Sequence, residues 1–276
     1  MNIKSRPLIL ITNDDGIASP GLMAAARCVL DLGEVWVVAP RVQQSGSSRS
    51  FPTPRAGSRG ANGVEVQQST LIVDGIAVPA FALDTAPAEA VRHGLLRFVP
   101  RQPDLAIAGI NYGENIGAAV TISGTIGAAI ETASFGIPTL AASLETEKQY
   151  HFGQSTEVDF STAAGFVRRF ARWILARGLP SGVDIFKLDV PGVATPDTPW
   201  RITRVSRQSY WVSQVAVDEQ GRKHVRGYVP HVDRDTLERD SDVHAIAVDK
   251  VVSLSPLTID LTAKVDLNEL ERAVCA

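Results

Sequence analysis

Short apolar runs that break abruptly into polar turns recur along the chain. The first, Leu8-Ile9-Leu10-Ile11, has the continuous β-branched character of a strand buried on both faces and stops at Thr12-Asn13-Asp14-Asp15-Gly16. Leu22–Leu30 then follows an Ala/Leu-rich helical pattern, and Gly33 is expected to end it as a C′ glycine. Val35-Trp36-Val37-Val38-Ala39-Pro40 reads as a second buried strand, so residues 8–40 make one parallel, right-handed βαβ unit.

From Arg41 to Gly63 the chain turns to Gln, Ser, Gly, Arg and Pro, the composition of a long loop. Val64–Gln67 and Leu71–Val73 suggest a hairpin around a polar link, and Ala88–Leu96 a helix entered through Pro87. Buried strands are predicted at 104–110, 138–143 and 185–190, with helices at 123–133 and 161–177. Residues 202–229 are β-rich and aromatic around the turn Glu219-Gln220-Gly221, which points to an antiparallel ribbon. Val251–Ser255 and Leu257–Leu261 read as two late strands, and Leu267–Val274 as a closing helix. The alternation of strand and helix makes the fold class α/β with a mostly parallel, Rossmann-like sheet.

Composition narrows the function classes. At 276 residues, with 45% hydrophobic and 21% charged positions, the chain is an ordinary globular length and mixture. A net charge of −3 argues against a nucleic-acid polymer as partner. Two distant cysteines, Cys28 and Cys275, form neither a disulfide framework nor a thiolate metal site. Met1–Arg6 is too short and polar for a signal peptide, and no apolar run approaches the ~20 residues of a membrane helix, so a cytoplasmic protein with no membrane partner is expected.

The chemistry gathers at the strand ends. Asp14 and Asp15 leave the first strand, Ser45 follows the second and Asn111 follows the strand at 104–110. Two carboxylates, a hydroxyl and an amide oxygen form an all-oxygen set suited to a hard cation such as Mg²⁺ or Mn²⁺. The five histidines show no ligand spacing. Ser123-Gly124-Thr125, at a helix start, offers N–H groups and hydroxyls to an anion. Taken singly, each element also has an ordinary reading. Asn-Asp-Asp-Gly can be an Asx turn and helix cap, Ser45 a solvated loop serine, Asn111 a turn support, and the basic face of 161–177 a solvated one. Neither the P-loop nor the GxGxxG fingerprint is present, which disfavours a dehydrogenase on the same core.

Four blocks then resemble the SurE (survival protein E) nucleotidase family in order and spacing. They are Thr12-Asn13-Asp14-Asp15-Gly16 with Pro20-Gly21; Val38-Ala39-Pro40 with Gln44-Ser45-Gly46; Ala108-Gly109-Ile110-Asn111-Tyr112-Gly113-Glu114-Asn115-Ile116-Gly117; and Ser123-Gly124-Thr125. Ser241-Asp242-Val243 and Val252–Thr262 are similar as well. The resemblance implies a 5′-nucleotidase, a metal-dependent phosphomonoesterase that hydrolyses nucleoside monophosphates. One Mg²⁺ or Mn²⁺ per subunit would be held by Asp14, Asp15, Ser45 and Asn111, and Asp14 and Asp15 would be catalytic. Asn13, Gly46, Asn115, Ser123, Gly124 and Thr125 are the expected substrate and phosphate contacts.

It also implies one SurE-like α/β domain over 1–276, with a protruding hairpin arm and exchange segment at about 200–250. Homodimers or homotetramers would form through the C-terminal segment. Two stretches depart from the family: Leu83-Asp84-Thr85-Ala86-Pro87-Ala88-Glu89 stands for Gly-Thr-Pro-Ala-Asp, and Lys187-Leu188-Asp189-Val190-Pro191 for Asn-Val-Asn-Val-Pro. The loop at 51–63 also replaces a more regular family segment. The alternative function is a catalytically weak mononucleotide-binding module on the same core.

Overall fold

The computed structural model describes residues 6–52, 63–153 and 155–275. The loop anticipated at 41–63 therefore lies outside the described residues from 53 to 62. The chain runs β1 (Leu8–Thr12), α1 (Pro20–Val29), β2 (Glu34–Pro40), β3 (Val66–Val73), β4 (Ile76–Leu83), α2 (Pro87–Arg97) and β5 (Leu105–Tyr112). Then come α3 (Gly124–Ser134), β6 (Thr139–Leu144), α4 (Ser161–Arg177), β7 (Ile185–Val190), β8 (Trp200–Ile202), β9 (Trp211–Val217), β10 (Lys223–Pro230), β11 (Val252–Leu257) and α5 (Leu267–Val274).

The main sheet has the order β3-β4-β2-β1-β5-β6-β7-β11-β8. From β4 to β7 all neighbours are parallel, while β3 and β11 pair antiparallel with β4 and β7. Both faces are covered, which explains the unbroken apolar runs. Ile9 and Ile11 face the layer of α1 and α4, with Leu22, Phe166 and Phe170 in one cluster. Leu8 and Leu10 face the opposite side with Ala90 and Phe81. The order reverses beside β1, whose neighbours are β2 and β5. Ligands of open α/β sheets bind at such a switch point, outside the strands' carboxyl ends.

Three local expectations are corrected. Gly33 is not a C′ glycine: a Cβ there would meet the Pro7 carbonyl oxygen at 2.5 Å and Ile9 Cγ1 at 2.8 Å, so its role is close approach to the start of β1. The hairpin is not within 64–73; β3 is one strand turning through Asp74-Gly75, both at positive φ, into β4. Asp-Gly between apolar runs is the sequence signal for that turn. The two late strands are one, β11, and residues 258–262 follow it without strand pairing. On α4 the expected amphipathic pattern holds, with Arg169 and Arg172 exposed and Phe166, Val167, Phe170 and Ile174 buried, while Arg168 also bonds Asp31 and donates to the Cys28 carbonyl at 2.9 Å.

Beyond the sheet, β9 and β10 form a separate antiparallel ribbon, as expected, with a bulge between Val225 and Tyr228. A π-helical turn, His244–Asp249, precedes β11. The terminal helix α5 is capped by the Asp266 side chain but buries no residue; Leu267, Leu270 and Val274 stay exposed. Among the described residues no helix is long and apolar enough to cross a membrane.

Candidate functional site

The site grows from the end of β1. Strand pairing carries Thr12 opposite Ala108, so the turn after β1 opens beside the end of β5. Asn13 closes that turn on itself: its Nδ2 donates to the Gly16 carbonyl at 3.1 Å, and its Oδ1 accepts from Gly16 N at 3.2 Å. The Asx-turn reading is therefore real for Asn13. Its buried side chain is a scaffold and does not line the cavity described below.

With the turn held, Asp14 and Asp15 are directed to different neighbours. Asp14 Oδ1 accepts from the Thr125 hydroxyl at 2.5 Å, which ties it to the first turn of α3. Ser123 caps that helix, its Oγ accepting from Ile126 N at 3.1 Å. Gly124 is required by contact, because a Cβ there would lie 2.6 Å from Asp14 Oδ2. Asp15 instead accepts from Gln43 Nε2 at 3.1 Å and from Tyr112 N at 3.3 Å. Gln43 also donates to the His151 carbonyl at 2.7 Å, joining the second and first strand-end loops to the segment after β6.

Burying two adjacent carboxylates is costly. Burial pushes Asp14 up to about 6 against the lowering effect of the Thr125 hydrogen bond. Burial, and then the charge of Asp14, raise Asp15 well above the ordinary range. A cation between them would reverse both penalties. Asn111 is set to assist, since its Nδ2 donates to the carbonyls of Gly113 (2.7 Å) and Tyr112 (3.1 Å), leaving Oδ1 as the acceptor end. Among the described residues no three of His, Cys, Asp or Glu gather into a metal cluster. The set on offer is thus two carboxylates completed by an amide and a hydroxyl oxygen, which fits a hard, oxygen-seeking ion and not zinc.

A cavity of about 600 Å³ opens over this corner. Asp14, Ser45, Gly46, Asn111, Asn115, Ser123 and Gly124 all line it. Asp15 and Thr125 do not: Thr125 holds Asp14, and Asp15 is held by Gln43 and the Tyr112 N–H. The structure thus brings together most of the residues singled out in the sequence, and separates Asn13, Asp15 and Thr125 from the wall.

The rest of the wall was not singled out. The ribbon contributes Trp211 and Tyr228, whose ring centroids are 5.1 Å apart at a steep angle. His151 stacks on Tyr228 and accepts or donates at 2.9 Å to its hydroxyl. Glu114 also lines the cavity; it is buried, and its Oε2 has no hydrogen-bond partner among the described residues. Burial pushes its pKa up to about 8, with the charges of Glu145 and Asp189 adding to the rise. No local periodicity marks these residues. The one available signal was a carboxylate inside a Gly/Asn-rich strand-end turn.

Beneath Asn115 lies a buried ion cluster. Asn115 N donates to Asp189 Oδ1 at 2.8 Å, and its Nδ2 to Ser143 Oγ at 2.8 Å. Lys187 contacts Asp189 and, at 3.1 Å, Asp242, all three fully buried. Burial alone would depress Lys187, but the two carboxylates outweigh it and hold its pKa above the ordinary value. Asp242 accepts from the backbone N–H groups of Gly117, Ser206 and Val243. The Lys187–Pro191 departure is therefore the floor of the loop at 111–117.

Comparison with known proteins shows the family and the fold. The model of the family described as survival protein SurE matches residues 9–212. The chain belongs to the SurE family. The 5′-nucleotidase SurE of Thermococcus kodakarensis is 38% identical over 97% of this chain and 98% of its own. The 5′-nucleotidase SurE of Methanothrix thermoacetophila is 42% identical over 95% and 96%. In fold, the crystal structure of the SurE protein from Aquifex aeolicus superimposes with a TM-score of 0.74 over 97% of this chain and 100% of that one, at 24% identity. The SurE sheet and its hairpin ribbon are thus the architecture of this chain.

Proposed function

We propose that this protein is a metal-dependent 5′-nucleotidase that hydrolyses nucleoside monophosphates to nucleoside and phosphate. Relatives carrying that name match almost end to end. The single observation that carries the reading is Asp14. It is a buried carboxyl with a raised pKa, bonded to Thr125 in the first turn of α3 and lining the cavity at the sheet's switch point. A helix N-terminus, hydroxyls and a carboxylate that needs a cation form a place for a phosphate and a divalent ion together.

Asp14, Asp15, Ser45 and Asn111 would hold the ion; bound there, Mg²⁺ or Mn²⁺ would polarise the phosphoryl group and acidify water. The residues themselves do the positioning. Thr125 keeps Asp14 turned to the cavity, and Gln43 with the Tyr112 N–H fixes the Asp15 carboxylate next to it. The N–H groups at the start of α3, with Ser123 and Asn115, face the phosphate oxygens. Asp14 takes the proton of the attacking water as the P–O ester bond breaks, solvent water in the open cavity gives the leaving alkoxide its proton, and Asp14 returns its own proton to solvent. Attack by Asp14 itself, through an aspartyl-phosphate, is the rival path. The stereochemical course at a phosphorus made chiral with oxygen isotopes separates the two, since a single direct displacement inverts it and two displacements through an aspartyl-phosphate retain it.

The exposed apolar face of α5 and the β9–β10 ribbon support assembly into a homodimer or homotetramer, with the whole chain as one α/β domain. The deciding test of function is phosphate release from a panel of nucleoside monophosphates with Mg²⁺, Mn²⁺ or chelator. The expected result is metal-dependent release that Asp14→Asn abolishes. Undiminished release in Asp14→Asn removes the centre of the reading, and nucleotide binding without release favours a binding module.

A further inference from the structure

We infer that Glu114 is a specificity-determining residue, which accepts a hydrogen bond from a hydroxyl of the substrate's sugar. The inference rests on the nucleotide reading above. Glu114 lines the same cavity as Asp14 and Asn115, is only 5% exposed, and leaves Oε2 without a partner among the described residues. A buried polar atom without a hydrogen bond is rare in folded proteins and calls for a ligand, water or other partner.

Chain connectivity locates that partner. Glu114 precedes Asn115, which is fixed at the phosphate end by Asp189 and Ser143. Its carboxyl lies against the Tyr210 hydroxyl, and Tyr210 leads directly into Trp211 of the aromatic wall, with ring centroids 4.9 Å apart. Glu114 thus sits where the phosphate end and the aromatic end of one cavity join. In a nucleoside monophosphate the group between phosphate and base is the sugar. Its vicinal hydroxyls can both give and receive hydrogen bonds, which suits a carboxyl that burial keeps protonated at neutral pH. Aromatic rings supply a stacking face for the base, which is tolerant of base identity. The polar selection then falls on the sugar.

The test compares ribonucleoside 5′-monophosphates with their 2′-deoxy and 3′-deoxy analogues by kcat/KM. A site built to bond a hydroxyl rejects an analogue lacking it, so the wild-type enzyme is expected to prefer the ribonucleotide over at least one analogue by about tenfold or more. In Glu114→Ala the ratio is expected to collapse to within about threefold, whereas Glu114→Gln, which keeps an acceptor oxygen, retains much of it. Taking a ratio within each variant cancels any general loss of activity. If Glu114→Ala does not fold, Glu114→Met, similar in length and without an acceptor oxygen, carries the same readout. Equal use of all three substrates by the wild type, or an unchanged ratio in the alanine variant, overturns the assignment. A wild-type protein that hydrolyses p-nitrophenyl phosphate but no nucleoside monophosphate overturns the nucleotide reading itself, and this inference with it.

Discussion

The Nζ of Lys187 lies 3.1 Å from Asp242 Oδ2, both side chains fully buried. It thereby couples β7 to the segment that carries the π-helical turn. The same lysine contacts Asp189, which holds the backbone of Asn115, and Asp242 holds that of Gly117. One cation thus anchors the loop over the site from below. Removing it would leave two buried carboxylates facing each other. Lys187→Met is therefore expected to cost about 3–5 kcal/mol in denaturant unfolding, the range for breaking a buried pair. A loss near that of an exposed pair, below about 1 kcal/mol, would contradict the cluster's role.

Gly124 offers a test of geometry without a change of charge. In Gly124→Ala the new Cβ would lie 2.6 Å from Asp14 Oδ2, so the carboxylate or the start of α3 must move. Misplacement of about 1 Å at a reacting centre can cost ~100-fold, so kcat is expected to fall about 10–100-fold. Phosphate release at the wild-type rate would show that the close approach has no catalytic consequence.

Metal binding is readable without turnover. Mn²⁺ or Mg²⁺ at ~100 times its dissociation constant should stabilise the wild-type protein by about 2.7 kcal/mol. Chelator should reverse the shift. Thermal melts of Asp14→Asn and Asn111→Ala are expected to show little or none of it, and an equal shift in all three proteins would place the ion elsewhere.

Glu114 should also leave a mark on stability. Its folded pKa of about 8 stands above the ordinary 4.5, so the folded state binds the extra proton between those values. Its contribution is complete below about 4.5, declines as pH rises through the interval, and is gone above about 8. At about 1.4 kcal/mol per unit, the decline amounts to a few kcal/mol. Urea midpoints of wild type and Glu114→Gln, measured with chelator from pH 5 to about 8.5, should therefore differ in slope, with the wild type losing more. Parallel profiles would mean that Glu114 is ionised and solvated at neutral pH.

The exposed face of α5 bears on assembly. A helix of 8 residues is marginal alone, and Leu267, Leu270 and Val274 find no cover among the described residues. Deleting 263–276 is expected to lower the mass seen by light scattering to that of a smaller assembly. An unchanged mass would assign the contact to the ribbon.

Much of this was legible in the chain itself. Strands such as Leu8–Thr12 and Ile185–Val190 are buried on both faces, so their apolar runs are continuous and their polar ends abrupt. Asp14, Ser45, Asn111 and Ser123 could be singled out because each follows such an end or opens a helix. What the order of residues left open is whatever depends on which strand lies beside which. The sheet order decides that Asp14 lines the cavity and bonds Thr125 while Asp15 turns to Gln43, although the two are adjacent and alike. It also sets Lys187 against Asp242 and brings the ribbon's Trp211 and Tyr228 into the cavity wall that includes Glu114. Local periodicity records how a segment meets its own face of the core. Contacts between segments far apart in the chain are fixed only when the sheet closes around them, which is why the floor and the aromatic wall of the site emerge from the tertiary structure alone.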